Sequence, residues 1–219
     1  MTERATTPMK LGMAIDRDRC VGCWTCAVVC KEENNVPLGL WWNRVANEGG
    51  NWFDTPEGEY PNLQMGYLPV ACQHCEEAPC VKVCPTRATY KRADGIVMQD
   101  YEKCIGCRYC MAACPYGVRN FNWGEPQRIP SFDYGSAQVP ARPKGVVEKC
   151  TFCVHRVDEG RQPACVESCP TQARIFGNLN DPTSKISTAV RERGGQRLLE
   201  DKGTGPQVYY LPPRRKQSL

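Results

Sequence analysis

Residues 102–117 read EKCIGCRYCMAACPYG, four cysteines spaced CxxCxxCxxxC with a proline directly behind the last. The arrangement recurs outward along the chain. Cys20, Cys23, Cys26 and Cys30 repeat the spacing, and Cys72, Cys75, Cys80 and Cys84 stretch its middle gap. Cys104, Cys107, Cys110 and Cys114 form the quoted group, and Cys150, Cys153, Cys165 and Cys169 widen the gap further. Together the groups use all 16 cysteines of the 219-residue chain. Proline follows the fourth cysteine at Pro85, Pro115 and Pro170, whereas Lys31 takes that place in the first group.

Disulfides, zinc and iron-sulfur clusters all draw on cysteine. Disulfide frameworks belong mainly to secreted chains, and the opening MTERATTPMKLGMAIDRDRC has no apolar run of signal-peptide length. Structural zinc needs two CxxC pairs converging on one tetrahedral ion and gives no role to a third cysteine so close behind. A [4Fe-4S] cluster accounts for all four. Its iron corners each take a thiolate, a CxxCxxC loop wraps three of them, and in two-cluster ferredoxins the fourth cysteine ligates the neighbouring cluster. That fourth cysteine lies about one helical turn beyond the third. A following proline turns the chain away without leaving an unpaired backbone donor. Gly22 and Gly106, inside the loops, let backbone amides approach the cluster sulfurs. Four groups of this kind predict four [4Fe-4S] clusters, and the same sixteen cysteines as iron ligands.

Groups two and three are separated by residues 85–103, where TYKRADGIVM (89–98) signals a hairpin with Asp94-Gly95 at its turn. They read as one ferredoxin unit, which leaves groups one and four to pair around it. Spacing alone also permits one with two and three with four. An internal echo supports doubling: CPTRATYKRADG follows group two and CPTQARIFGNLND follows group four. The expected fold is α+β, two bacterial-type ferredoxin units, one nested in the other, with loop-rich insertions. Residues 10–71 and 145–180 form the outer unit, 72–116 the inner unit, 117–149 a long insertion loop and 181–219 a C-terminal extension.

With 18 prolines and 19 glycines, much of the chain is expected in loops that order around inorganic cores. Lys31, Lys82, Arg87, Lys103, Arg108, Lys149 and Arg156 flank cysteines, where they can offset thiolate charge, against the plain alternative of solvated side chains. The formal charge of +4 falls once anionic clusters are added, and PRRK at 213–216 is a lone basic tail, so nucleic-acid binding is not expected. His74, inside CQHC, and His155, after CTFC, read as hydrogen-bond donors to sulfur or as surface residues rather than ligands, because cysteine fills every corner. In the insertion at 31–71, LWWN (40–43) and the aromatic loop 49–61 suit either a protein interface or a cover over a cluster. Pro126, Pro130, Pro140 and Pro143 forbid a long helix in the second insertion. In the C-terminal extension, Asp181-Pro182 is expected to start a helix that carries Ile186 and Val190 on one face and ends at Gly194-Gly195, with VYYL (208–211) a strand. No stretch approaches the length of a membrane span.

The gap order together with MAIDRDRCVGC, CIGCRYCMAACPYG and KCTFCVHRVDEGRQPACVESCP resembles the four-cluster ferredoxin subunit of molybdopterin oxidoreductases, a family that includes subunits of dimethyl sulfoxide, polysulfide, tetrathionate and respiratory arsenate reductases. The resemblance covers nearly the whole chain and is weakest in the two insertions. It implies Cys20, Cys23, Cys26 and Cys169 on cluster 1; Cys104, Cys107, Cys110 and Cys84 on cluster 2; Cys72, Cys75, Cys80 and Cys114 on cluster 3; and Cys150, Cys153, Cys165 and Cys30 on cluster 4. It further implies a non-catalytic subunit relaying single electrons between a large catalytic subunit, holding a molybdenum or tungsten bis-pterin cofactor, and a membrane quinone-reactive subunit or other redox partner. Some relatives replace a cysteine of the third group with tryptophan and hold a three-iron cluster, but here Cys110 is intact behind Tyr109. The nearer alternatives are a formate dehydrogenase or hydrogenase subunit and a free multi-cluster ferredoxin. A membrane-associated complex is expected, either on the cytoplasmic side or exported folded with a partner that carries a twin-arginine signal.

Overall fold

In a computed structural model of the chain, residues 8–48, 55–127 and 135–214 are described. Residues 49–54 of the aromatic loop, Pro130 and the end of the basic tail lie outside the described residues. Strand β1 (Leu11–Asp16) is buried along its whole length, as its apolar LGMAI run requires. It forms the centre of a three-stranded sheet. β1 pairs antiparallel with a strand that follows group four and parallel with one near the C-terminus, so segments far apart in sequence meet across it.

Between these ends the chain alternates short helices with two-stranded pairs. Helix α1 (Thr25–Glu33) carries Cys26 and Cys30. The 31–71 insertion then forms a hairpin of β2 (Arg44–Glu48) and β3 (Gly66–Val70) that the aromatic and turn-rich composition had not signalled. After α2 (Pro79–Lys82), β4 (Thr89–Lys91) and β5 (Val97–Gln99) form the expected hairpin. Asp94 Oδ1 accepts from the Ile96 amide at 3.1 Å, and Gly95 supplies a φ of 88°. Helix α3 (Tyr109–Ala112) leads to β6 (Asn120–Phe121), which pairs with β7 (Val147–Glu148) across the second insertion. Next come α4 (Val154–Asp158), α5 (Ala164–Glu167) and β8 (Arg174–Asn178), the antiparallel partner of β1. α1 packs on α5, and α2 packs on α3.

Helix α6 (Lys185–Arg193) lays Ile186 onto Ala14 and Leu211. Its start is three residues later than the sequence reading. Ser184, not Asp181, caps it by accepting from the Ser187 amide at 3.2 Å. Asp181 closes the preceding turn by accepting from the Thr183 amide at 2.8 Å, the local competition that short polar side chains offer a helix. β9 (Val208–Leu211) is the parallel partner of β1. The segment leading into it runs along group two: Gln207 N–H donates to Gln73 O at 2.8 Å and Glu76 N–H to Gly205 O at 2.7 Å.

Prolines set the helix lengths. The residue before proline is pushed out of the helical region, and α2, α3 and α5 each stop after four residues, just short of a Cys-Pro pair. Lys31 replaces the proline in group one, and α1 runs on for nine residues through Cys30. The Lys31 ammonium then donates to the carbonyls of Pro37 and Leu40, at 2.5 and 2.8 Å, fixing the turn behind the helix. Lys31→Pro should cost about 3 kcal/mol and lower the thermal midpoint of the metal-loaded protein, while Lys31→Ala, which keeps the helix, should cost clearly less; equal losses would rule out helix length as the cause.

Candidate iron-sulfur cluster sites

Every cysteine group builds the same local shape. The residue just before the second cysteine turns left-handed in all four: Gly22 at φ 66°, His74 at 43°, Gly106 at 69° and Phe152 at 55°. The third cysteine is then the second residue of a helix, Cys26 in α1, Cys80 in α2, Cys110 in α3 and Cys165 in α5, where free amides and the helix dipole favour negative charge. After the three Cys-Pro pairs the chain turns left-handed again, at Arg87, Gly117 and Gln172.

Glycine occupies two of the four left-handed loop positions because contact demands it. A Cβ on Gly106 would meet the Gly145 carbonyl oxygen at 2.3 Å, and one on Gly22 would meet the Tyr67 ring at 2.3 Å. The other two positions hold buried rings stacked on each other, His74 on Phe152, with centroids 3.7 Å apart. This contact holds non-glycine residues in a region that costs about 1–3 kcal/mol each, and it joins group two to group four. His74 is therefore a core residue and not a surface one, and its Nε2 is buried. Its Nδ1 accepts from the Val97 amide at 3.1 Å, and burial, aided by Lys149 and Arg119, holds its pKa well below the ordinary value. His155 pairs instead with Glu33, Nε2 to Oε1 at 2.7 Å.

Tertiary folding gathers the sixteen cysteines around four cavities. Cys20, Cys23, Cys26 and Cys169 line the first. Cys30, Cys150, Cys153 and Cys165 line the second, which Cys72 also borders. Cys72, Cys75, Cys80 and Cys114 line the third, and Cys84, Cys104, Cys107 and Cys110 the fourth. Each foursome joins three thiols of one group to the fourth cysteine of another. Among the described residues, no three His, Cys, Asp or Glu side chains converge as for a single metal ion. The cavities form a row. The first two share Ile15 and Arg174, the second and third share Cys72, and Val97 of the third packs with Val147 of the fourth. Cys23 and Cys107, the exposed cysteines, belong to the two end cavities.

The thiols divide by environment. Burial raises Cys30 well above its ordinary value, Cys75 and Cys165 to about 11, and Cys150 upward as well, with neighbouring cysteines adding to the rise. Such thiols stay protonated until a metal displaces the proton. Cys84 and Cys169 go the other way. Burial would raise them, but the Thr89 and Ala173 amides, at 3.4 and 3.3 Å, and the hydroxyls of Thr86 and Thr171 outweigh it. The CPTxA echo is thus a sulfur-binding turn. Asn34 Nδ2 donates to Cys153 Sγ at 3.4 Å, and the Phe152 amide to Cys150 Sγ at 3.4 Å.

Most of the basic residues that flank cysteines do not face sulfur. Lys82 and Lys103 make exposed pairs with Glu77 and Asp100. Arg156 is buried against Glu33 and Glu167, and Arg108 lies over the Trp123 ring at 4.5 Å. Lys149 alone of the seven is fully buried beside thiols. Sequence reasoning missed its two companions, Arg119 and Arg174. Both are buried among sulfurs, whose charges raise their pKa values against the opposing effect of burial. Their one sequence signal was a shared offset, five residues after Cys114 and Cys169. Buried cations among thiols, hydrogen-bonded to no carboxylate among the described residues, fit an anionic group in the cavities.

The chain matches the 4Fe-4S dicluster domain family over residues 63–128 and 136–179. It is 57% identical over 206 residues to a Halobacterium salinarum protein named as a dimethyl sulfoxide reductase iron-sulfur subunit, covering 91% of this chain and 78% of that protein. It is 40% identical over 232 residues to the arsenate respiratory reductase iron-sulfur subunit of a Shewanella species, covering 93% and 96%. It is 42% identical over 231 residues to the menaquinone reductase iron-sulfur cluster-binding subunit of Nitratidesulfovibrio vulgaris, covering 94% and 90%. Gly106→Ala should force the loop off the Gly145 carbonyl and lower iron content by about one cluster per chain; unchanged iron, counted against protein by elemental analysis, would contradict the close approach.

Proposed function

The chain belongs to the 4Fe-4S dicluster family, and from that premise we propose that it is a relay of four [4Fe-4S] clusters, built as two nested ferredoxin units, in a respiratory oxidoreductase complex. Four cavities whose linings together take in all sixteen cysteines, with Cys72 bordering both the second and the third, carry the reading. The first cavity's cysteines would hold cluster 1 and the second's cluster 4; the third's would hold cluster 3 and the fourth's cluster 2. Bound there, each cluster takes up and gives back one electron at a time.

The protein's own part is to hold, order and insulate. The β1–β8 pairing, the α1–α5 packing and the His74–Phe152 stack bring the outer groups onto the inner ones. Trp42, Phe152 and Val36 are essentially fully buried, keeping water from the interior. The end cavities open to the surface at Cys23 and Cys107, so electrons enter at one end and leave at the other. Exposed Val21 and Val28 lie by the first, and Ile105, Tyr109 and Trp123 by the last, apolar surface suited to partner subunits.

Those partners are a molybdenum or tungsten bis-pterin catalytic subunit and a quinone-reactive membrane subunit. The dimethyl sulfoxide and arsenate reductase names of the relatives support the first, and the menaquinone reductase name supports the second. Among the described residues no helix is long and apolar enough to cross a membrane. The chain serves its complex without a substrate of its own.

Protein purified without air, together with its co-purifying subunits, should contain about sixteen irons and four reducible, magnetically interacting centres. Cys169→Ser should alter the centre that Cys20→Ser alters, and Cys30→Ser the centre that Cys153→Ser alters, in electron paramagnetic resonance spectra. Zinc with no reducible centre would sink the relay, and the opposite correspondence would sink the nesting.

A further inference from the structure

Arg174, Lys149 and Arg119 are 6%, 0% and 5% exposed, and among the described residues their hydrogen bonds go to sulfur, hydroxyl, amide and carbonyl groups rather than to a carboxylate. Each stands where one cavity of the row gives way to the next. Arg174 borders the first and second cavities, with Nη2 at 3.3 Å from Cys26 Sγ and Nη1 at 3.7 Å from Cys165 Sγ. Lys149 precedes Cys150 of the second cavity and lies within electrostatic reach of Cys72 and Cys80 of the third, its Nζ donating to the carbonyls of Val97 and Cys150. Arg119 lies within electrostatic reach of Cys80 of the third and Cys110 of the fourth. Its Nη1 donates to Gln99 Oε1 at 3.2 Å, and its Nη2 is buried.

An electron placed on one site of a row repels the next electron at the neighbouring site. A cation set between two sites offsets the added charge on either, and in a buried, poorly screened interior it acts strongly on both. Solvated lysines such as Lys82 and Lys103 lie outside the row and pair with their own carboxylates. Resting on the four-site reading above, we propose that Arg174, Lys149 and Arg119 are junction cations, each raising the reduction potentials of the two clusters it separates and so levelling the row for electron transfer.

The test is potentiometric titration of the metal-loaded protein, with its co-purifying subunits, each centre followed by electron paramagnetic resonance. Arg119→Gln should lower the reduced-to-oxidised ratio of the two flanking centres about tenfold at a fixed potential, a fall of about 59 mV for a one-electron couple. The two distant centres should stay where they are, and Arg119→Lys should restore most of the loss. Isosteric variants that leave the cation in place and cancel its charge keep the test open if Arg119→Gln loses iron. Gln99→Glu beside Arg119 should depress the same pair, and Asn43→Asp, whose wild-type oxygen accepts from Arg174 at 3.2 Å, should depress the first two centres. Full iron content with all four centres shifting equally, one shifting alone, or none shifting would overturn the junction role. Fewer than four reducible centres in the wild-type protein would overturn the four-site reading, and the junction role with it.

Discussion

Buried charge without a protein counterpart is the constraint on which this structure depends. Nine cysteines are buried, several held protonated by their surroundings, and in the same interior three cations hydrogen-bond to no carboxylate among the described residues. A neutral thiol is at ease in a protein interior, but an unpaired buried cation is costly there. An anionic inorganic core satisfies both at once, displacing the thiol protons and balancing the cations. The ordinary elements are correspondingly slight: among the described residues, three of the cysteine-bearing helices are four residues long, and three of the four sheets have two strands. Elements this short have little stability of their own.

Repetition supplies the sites, and the departures from repetition join them. Left-handed turns before the second cysteine, a helix starting just before the third and a break after the fourth recur along the chain. Where the pattern changes, the change has a structural use. Lys31 in place of proline lengthens α1 so that its end, through Glu33, meets His155 and Arg156 of α4. His74 and Phe152 in place of glycine stack on each other and join the second group to the fourth. The C-terminal segment belongs to the same scheme, since β9 completes the central sheet and the strand's approach runs along group two.

The row has a dry middle and wet ends. The second cavity is ringed by buried thiols and the third by all but one, while exposed Cys23 and Cys107 mark the outer two. Electrostatic effects are large in the middle, where screening is weak, and small at the ends, where water screens them. Such a gradient suits a path that admits electrons only at its termini.

Much of this was legible in the sequence because metal ligation is local. CxxCxxC spacing, Cys-Pro pairs and loop glycines each constrain a few adjacent residues, so the groups, the β4–β5 hairpin and the breaks after Cys84, Cys114 and Cys169 could be read directly. The family resemblance then pointed to a partition of fourth cysteines, and the cavities gather the same foursomes. Hidden from the sequence was what packing and competition between polar partners decided. The β2–β3 hairpin lacked an alternating apolar pattern, the cap of α6 was settled by competition between Asp181 and Ser184, and Arg156 was claimed by two glutamates rather than by sulfur. Arg119 and Arg174 looked like any surface arginine, because a side chain's burial is set by what folds over it. The sequence by itself determined the chemistry of each group, since four thiols in a short loop leave few choices; only the tertiary structure decided their order in the row and the cations between them, because both arise from contacts between residues far apart along the chain.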